Sequence, residues 1–292
     1  MASVSTAREN TMRPKTLPAW STPDPRTWLA ALAVLLGAGL WLHGSIAQWS
    51  DYHAFADARP WLGLPHAANV LSNLPFLAVA VWAGIGLRRG IAGPAPWAWS
   101  GFCMALGCTA FGSAVYHAAP SNPTLVIDRI PIAWACACLL CALLGERVHP
   151  RWASPPVLAA ALGLATLAVL HWWWTETTGA AGAGDLRAYL LLQGLALLLV
   201  PAALLLRLPA TAPRATADSA WWGVVALYAL AKACEVADHR LFESLGGLSG
   251  HTLKHLLAAA GAGWLLRGVV AARRGRLRPP SFGRRVSAAE LR

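Results

Sequence analysis

The chain has 292 residues, of which 57% are hydrophobic and only 13% are charged. A soluble domain usually carries about 25% charged residues, so the composition excludes an ordinary soluble globular protein. The formal net charge is +11, but the basic residues lie in connections and towards the C-terminus and do not form one face of a soluble fold. This distribution is typical of an integral membrane protein and argues against nucleic acid as a partner.

The predicted fold is all-α, a polytopic transmembrane helical bundle with a seven-helix core and one extra N-terminal span. Its apolar blocks are roughly twenty residues long, enough to cross about 30 Å of hydrocarbon. In chain order the eight candidate spans are 27–47, 67–87, 96–118, 124–145, 154–174, 186–206, 219–238 and 250–271. The predicted parts are a cytoplasmic N-terminal segment (1–26), the extra span (27–47), the core (66–271) and a basic cytoplasmic tail (272–292).

The first span has two interpretations. Ser45-Ile-Ala47 resembles the cleavage site of a signal peptide. The twenty-six residues that precede the span, and the length of its apolar run, favour a retained helix or signal anchor. Both interpretations leave the orientation of the other spans unchanged. The abundance of alanine, leucine and arginine favours a bacterial source, and hence the bacterial inner membrane.

The basic residues also predict the orientation of the bundle. With the N-terminus inside, eighteen lysines and arginines fall in cytoplasmic segments, and three fall on the opposite face, namely Arg59, Arg187 and Arg240. The remaining three, Arg129, Lys232 and Lys254, lie within or at the edge of spans. Because basic residues accumulate on the cytoplasmic side, we expect both termini to be cytoplasmic.

Several polar residues fall at one level of the predicted bundle, near its outer, periplasmic face. Ser113 and His117 end the third span, Asp128 opens the fourth, and His251 and His255 open the eighth. These positions are distant in sequence but level in the membrane. Ionisable groups inside a bilayer are costly and are usually functional, so the cluster is the first candidate for a site.

The histidine spacing predicts a metal site. His251 and His255 are four residues apart and share a helix face, where two imidazoles can chelate one metal ion. His117, from another helix, would complete three protein ligands and leave a position open for water, a pattern typical of catalytic zinc. Asp128 lies at the same level and could accept a hydrogen bond from that water.

Each of these features has a structural alternative. A histidine pair at a helix start is often interfacial, Ser113 could bond back to a carbonyl of its own helix, and Asp128 could be a charge that favours a helix start. On the seventh span Lys232 and Glu235 are expected to pair, with Asp238 on the same stripe. The other possibility is that this stripe lines a polar cavity below the metal.

The polar residues resemble the motifs of the alkaline ceramidases, within a superfamily that includes progestin- and adiponectin-type receptors. That family has Ser-x-x-x-His, a helix-opening Asp-Glu-Leu-Pro-Met, a C-terminal His-x-x-x-His, and Asn-x-x-Ser-Asn in its first helix. The counterparts here, over residues 66–271, are Ser113-Ala-Val-Tyr-His117, Asp128-Arg-Ile-Pro-Ile132, His251-Thr-Leu-Lys-His255 and Asn69-Val-Leu-Ser-Asn73. Four motifs in the same order, with eleven residues from His117 to Asp128, make the resemblance specific.

The resemblance implies a zinc enzyme that acts on a membrane lipid. By this resemblance His117, His251 and His255 bind Zn2+, Asp128 handles the proton of the attacking water, and Ser113 supports the site or the oxyanion. Such enzymes hydrolyse the amide of ceramide to a sphingoid base and a fatty acid. Zinc lowers the pKa of its water to about 7 and polarises a carbonyl, which suits this reaction.

The sequence departs from the family at several positions. Arg129 replaces an acidic residue, and we hypothesise that it favours an anionic substrate; it could instead snorkel to the interface or pair with Asp128. His66 stands where the family has a helix-opening glutamate, so no calcium site is carried over, although Asp51 and Asp57 lie in that stretch. The span 27–47 has no counterpart in the family.

Two other functions stay open at this stage. One is a zinc hydrolase that acts on a different lipid, such as an N-acyl aminolipid or an ester. The other is a receptor-like or signalling membrane protein in which the zinc is structural or binds a ligand. Ser113 and Asp128 separate an enzyme from a receptor only weakly, because receptor-type relatives keep such residues. The sequence gives no lipid headgroup and no oligomeric state.

Overall fold

A computed structural model describes residues 23–88, 93–179, 182–212 and 216–274. Residues 272–274 are described by their backbone alone. Within these ranges the chain is helical, and its extended structure is confined to one isolated bridge between Trp61 and Leu64. The all-α fold is therefore confirmed. Most of the predicted N-terminal segment (1–26) and basic tail (272–292) lies outside the described residues.

The described residues form ten α-helices and a single 3-10 turn at Pro150–Ala153. The helices are α1 (Pro25–His43), α2 (Ala67–Leu71), α3 (Leu74–Leu87), α4 (Pro96–Ala118), α5 (Asn122–Arg147), α6 (Pro155–Thr178), α7 (Arg187–Leu205), α8 (Asp218–Val236), α9 (Asp238–Ser244) and α10 (Gly250–Arg274). Proline occupies the first turn of α1, α3, α4, α5 and α6, where its missing N–H costs no helical hydrogen bond.

Six of the described helical segments are long and apolar enough to cross a bilayer, if α2 and α3 count as one span. A seventh is obtained if α8 and α9 also count as one span. The eighth predicted span forms α10, which has 25 residues but falls short of the same hydropathy criterion over the described side chains. Its first two turns carry His251, Lys254 and His255. The polytopic helical bundle is thus confirmed.

Two predicted spans are interrupted. The segment predicted as 67–87 breaks at Ser72 and Asn73, between α2 and α3. The segment predicted as 219–238 bends by 81° between α8 and α9. Asp238 consequently opens α9, and its predicted place on the stripe of Lys232 and Glu235 is wrong. Both interruptions lie at the end of the bundle that carries the histidines.

The first helix lies at the edge of the bundle. α1 packs mainly against α7, where the side chain of Leu36 lies against Gly194. Most of its large apolar side chains are exposed, among them Trp28, Leu35 and Trp41. An apolar surface of this kind is stable in hydrocarbon and not in water, which agrees with an extra span beside the core.

The interior consists of two apolar clusters, one at each end of the bundle. In the first, Trp99 and Trp221 lie with their ring centroids 5.6 Å apart. The buried carboxylate of Glu146 beside them accepts hydrogen bonds from Trp99 Nε1 at 3.2 Å and from the Thr216 amide at 2.9 Å. The second cluster includes Tyr116 and Trp172 and adjoins the histidines.

A close backbone contact fixes α5 against α4 beside the histidines. Pro131 lies inside α5, and its missing N–H leaves the carbonyl of Ile127, four residues earlier, without its helical partner. That carbonyl faces Gly112 on α4, where a β-carbon would overlap it. The contact brings Asp128, the residue after this carbonyl, next to the turn of α4 that carries Ser113 and His117.

Candidate metal centre

Three histidines converge at one end of the bundle. His117 lies in the last turn of α4, and His251 and His255 lie in the first two turns of α10. All three are buried, with 1%, 7% and 4% of their surface exposed. One ring nitrogen from each lies within 4.8 Å of the other two, and the Nε2 atoms of His117 and His251 are 3.2 Å apart. The predicted ligands are therefore brought together in a group that could hold a metal ion.

The donor set fits a transition metal. Three imidazole nitrogens with no thiolate or carboxylate among them suit zinc, copper, iron or nickel, and not magnesium or calcium. In addition, Nδ1 of His117 is buried with no hydrogen-bond partner in the described part of the chain. Such orphaned polar atoms are rare in folded proteins and call for an unseen partner. Because Nε2 of His117 is the nitrogen that converges on His251, the missing partner of Nδ1 would be an ordered water, and the case for a metal ion rests on the three converging nitrogens.

Aromatic side chains enclose the three histidines. The ring of Phe55, from the loop between α1 and α2, lies edge-on at 4.7 Å from His117 and 4.6 Å from His251. Tyr116 flanks His117 at 4.9 Å, and Phe76 flanks His255 at 6.5 Å. These contacts fix the ring planes and keep water away from one side of the group.

The break between α2 and α3 supplies a partner for His255. Ser72 Oγ lies 2.7 Å from His255 Nδ1 and 2.9 Å from the Asn69 carbonyl oxygen. The Ser72 hydroxyl has one proton. If this proton is donated to the Asn69 carbonyl, the Ser72 oxygen is left to accept a hydrogen bond from Nδ1–H of His255. The Asn69 carbonyl also interacts with this imidazole and can only accept. These contacts place the proton on Nδ1 and leave Nε2 free to bind a metal.

The Asn69 side chain anchors the start of α10. Its amide oxygen accepts hydrogen bonds from Thr252 Oγ1 at 2.9 Å and from Ser249 Oγ at 3.4 Å. Its amide nitrogen donates to the carbonyl of Asp57 at 3.2 Å. Asn69, Ser72, Ser249 and Thr252 are all buried. The motif Asn69–Asn73 thus joins α2, the preceding loop and α10 around the histidines.

Asp238 provides a second anchor, which sequence reasoning missed. Its carboxylate accepts hydrogen bonds from the amides of His251, at 2.7 Å, and Ala56, at 3.0 Å. The first of these amides is at the start of α10 and has no partner within the helix. A β-carbon at Gly250 would overlap the carbonyl of Cys234 and press on Asp238, so only glycine permits this approach. In the sequence, the adjacent pair Gly250-His251 was the signal that could have indicated a close backbone contact at the start of α10.

Asp128 lies in α5 near Ser113 on α4 and Lys254 on α10, the two helices that carry the histidines. It is buried, interacts with the Ser113 side chain, and keeps Oδ1 without a hydrogen-bond partner in the described part of the chain. The Lys254 ammonium and the Arg129 guanidinium both act on it electrostatically. A carboxylate with one free oxygen and two cations nearby can accept a proton and release it again.

Arg129 takes neither of the two alternative positions considered from the sequence. The residue is only 3% exposed, so it does not snorkel to the interface. No ion pair with Asp128 occurs among the ion pairs of the described residues. Its guanidinium carbon lies 4.1 Å from the ring centre of Trp172, 5.0 Å from that of Tyr52 and 5.3 Å from that of Tyr189.

A second polar group lies on the α8 and α10 side. Glu235 pairs with Lys232, as predicted, and also with Lys254 at 2.6 Å. Lys254 lies between the two histidines of α10 and is the unpredicted member of this group. Its pairing with Glu235 joins α8 to α10 next to the histidines.

His53 links the loop before α2 to the bundle. Its Nδ1 lies 2.9 Å from the hydroxyl of Tyr116, and its Nε2 lies 2.9 Å from the amide oxygen of Asn122. Asn122 in turn donates to Glu176 on α6 at 3.1 Å. This chain of contacts holds Tyr116 against His117. The tertiary contacts that create it leave no signal in the local sequence.

The loop before α2 is closed by an ion pair. Both carboxylate oxygens of Asp57 accept hydrogen bonds from the Arg59 guanidinium at 2.8 Å, and these bonds hold the pKa of Asp57 below its ordinary value. Arg59 also donates to the carbonyl of Gly247, before α10. Asp57 therefore already has a charged partner within this loop.

The chain was also compared with known proteins. No protein family matches it, and no curated protein sequence matches it.

Proposed function

We propose that the protein is a zinc-dependent intramembrane hydrolase that cleaves the amide bond of ceramide or a related N-acyl lipid. The observation that carries the proposal is the convergence of three buried imidazoles beside a buried carboxylate with a free oxygen. The four motifs that resemble the alkaline ceramidases support the same substrate class. The membrane-crossing helices would place the site where a lipid can reach it.

Zinc is the proposed metal, held by His117, His251 and His255. When bound there, zinc would lower the pKa of a coordinated water and polarise a carbonyl. The protein's own part is to present three neutral imidazoles, with the proton of His255 kept on Nδ1 by Ser72 and Asn69. Phe55 and the neighbouring rings limit the access of water to the group.

Asp128 is the proposed acid and base. It would accept a proton from water as the water oxygen attacks the amide carbon, and it would return that proton to the nitrogen as the C–N bond breaks. The products are a carboxylic acid and an amine, which balances the reaction. The histidines cannot perform this transfer while they bind the metal, and the Ser113 hydroxyl is too weak a base. Ser113 would hold Asp128 in place or donate to the oxyanion.

Elemental analysis of protein purified without added metal tests the metal proposal. We expect about one zinc per chain, and a large loss of zinc in His117→Ala, His251→Ala and His255→Ala. His43→Ala is a matched control, because His43 is exposed at the end of α1. Full retention of zinc in all three variants of the cluster would refute the site.

Lipid mass spectrometry tests the reaction itself. Wild-type protein in vesicles that contain N-acyl lipids should release a free fatty acid and the corresponding amine, and His255→Ala should release neither. Release of a fatty acid from ester lipids alone would replace the amidase with an esterase. A zinc-loaded protein that cleaves no lipid would instead favour the receptor-like function, in which the metal binds a ligand or stabilises the fold.

A further inference from the structure

The guanidinium of Arg129 is a buried charge that forms no ion pair within the described part of the chain. Only 3% of the residue is exposed, and its Nε and Nη1 atoms have no hydrogen-bond partner in the described part of the chain. Three aromatic rings stabilise the positive charge by cation–π contacts, but ring faces do not satisfy in-plane N–H donors. Buried donors of this kind are normally paired, so the guanidinium calls for an oxygen acceptor that the described part of the chain does not supply.

The aromatic contacts also fix the position of this charge. Trp172 from α6, Tyr189 from α7 and Tyr52 from the first loop all contact the guanidinium. A planar guanidinium held in this way keeps its fork of N–H donors in one orientation, which suits two parallel hydrogen bonds to a carboxylate or a phosphate. Arg129 follows Asp128, the proposed acid and base, on α5 and acts on it electrostatically, so an anion bound to the guanidinium would lie near that carboxylate.

The charges around Asp128 also favour an anion. Arg129 and Lys254 act on this carboxylate from two helices, α5 and α10. Glu235 is the other carboxylate nearby, and it already has Lys254 and Lys232 as partners. These five groups comprise three cations and two carboxylates, so the surroundings of Asp128 are positive by one charge before any metal ion is added.

We infer that Arg129 binds the negatively charged group of the substrate, so that the preferred substrate is an N-acyl lipid that carries a phosphate or a carboxylate on its headgroup. The inference rests on the proposed hydrolase for its link to a reaction. The anion site itself follows from the unpartnered guanidinium and can be tested without turnover. Arg129 is a substrate-binding residue in this proposal and takes no part in proton transfer.

Equilibrium binding in a neutral detergent tests the anion site. Isothermal titration compares dodecyl phosphate and dodecanoate with uncharged dodecanol. We expect the wild type to bind at least one of the two anions about tenfold or more tightly than dodecanol, because a charge-assisted bond is stronger than a neutral one. Arg129→Gln should lose this preference. A wild type that binds all three compounds equally would overturn the proposal.

Arg187→Gln is the matched control. Arg187 also lies over a tryptophan, Trp41, but it already has Asp185 as its ion-pair partner. We expect Arg187→Gln to keep the preference for the anion. If both variants lose the preference for the anion equally, the preference depends only on the overall positive charge of the protein, and the proposal is overturned. If Arg129→Gln does not fold, Arg129→Lys keeps the charge without the fork and should retain only part of the preference.

Two further measurements decide whether the metal or Arg129 binds the anion, and whether the preferred anion is a phosphate or a carboxylate. His255→Ala should keep the preference for the anion although it lacks the metal; if this variant loses the preference and Arg129→Gln keeps it, the anion is bound by the metal and the proposal fails. Tighter binding of dodecyl phosphate than of dodecanoate assigns the site to a phosphate headgroup, and the reverse order assigns it to a carboxylate. Either order supports an anion site.

A turnover assay completes the test with two N-acyl lipids that differ only in a phosphate on the headgroup. We expect the wild type to cleave the phosphorylated lipid with the higher kcat/KM, and the ratio of the two kcat/KM values to fall about tenfold or more in Arg129→Gln. If neither lipid is cleaved, the proposed hydrolase fails, while the binding measurements still decide whether Arg129 holds an anion.

Discussion

Among single residues, Asp128 and Ser113 are the positions where substitutions best separate an effect on the rate of hydrolysis from an effect on metal binding. A free oxygen on a buried carboxylate is poised to exchange a proton, whereas a metal ligand would be among the converging nitrogens. The two groups are distinct: the residues that could hold a metal ion are His117, His251 and His255. Removing the proton acceptor should therefore affect turnover far more than metal content.

Asp128→Asn should keep zinc and fold but lose about 10²–10⁴-fold in rate, the usual contribution of a positioned acid or base. Ser113→Ala should lose less, at most about 10²–10³-fold, as for one oxyanion donor. Zinc content and hydrolysis are to be measured on the same preparations. Loss of zinc from Asp128→Asn would make Asp128 a support of the metal, and a wild-type rate would exclude the mechanism.

Ser72 should act on the metal through His255. Removing a group that orients a metal-binding histidine typically costs about 10- to 100-fold in metal affinity, so Ser72→Ala should bind zinc more weakly by that factor in a chelator competition. Thr109→Ala is the control: Thr109 is a buried hydroxyl on α4 that bonds only to the carbonyl of Ala105 on its own helix. Equal affinities in the two variants would show that Ser72 does not orient His255.

At the scale of helices, the start of α10 decides whether two of the three histidines are in place. The 81° bend after α8 brings the Asp238 carboxylate to the His251 amide in the first turn of α10, and Gly250 permits the close approach of the two backbones. The break between α2 and α3 performs the same task from the other side, through Asn69 and Ser72. The contacts that position the two histidines of α10 thus come mainly from the places where helices are interrupted.

Gly250→Ala should therefore destabilise the fold and weaken metal binding together. The added methyl group would press on the backbone of α8 and α9, and overpacking of this kind costs about 1–3 kcal/mol. Gly163→Ala is the control, because a β-carbon there meets no atom within 4 Å. Thermal unfolding in detergent and zinc content report the two effects. Zinc content at the wild-type level in Gly250→Ala would show that α10 can shift without loss of the site.

For the whole molecule, the open question is which side of the membrane the site faces. The charge distribution predicts both termini inside, and so places the loop 48–65 and the histidines on the outer face. Phe55 from that loop contacts His117 and His251, so the loop and the site share one end of the bundle. One measurement of topology therefore locates both.

Reporter fusions at Arg292 and within the loop 48–65 should report opposite sides of the membrane, with Arg292 cytoplasmic. A signal from the same side at both positions would mean that the number of spans between them is wrong. Arg292 lies outside the described residues, so this experiment also tests a part of the chain whose orientation rests on charge alone.

The sequence by itself determined the class of the protein and most of the candidate site. Apolar blocks of membrane-crossing length leave helices as the stable structure, because every backbone polar group must be bonded within its own segment in hydrocarbon. The spacing of His251 and His255, and the level of His117 and Asp128 in the bundle, also predicted the cluster that the structure brings together. Those signals are local: each depends on helical periodicity and on position within a span.

The tertiary structure decided what the local signals could not. Asp238 was assigned to a continuous helix, and it became an anchor of α10 only because the chain bends before it. His53 lies in the loop before α2, and it contacts Tyr116 only because that loop folds back over the bundle. Arg129 forms no ion pair in the described part of the chain, and three aromatic rings from separate segments surround it. Contacts between distant segments depend on how helices break and pack, and the spacing of residues along one helix does not predict them.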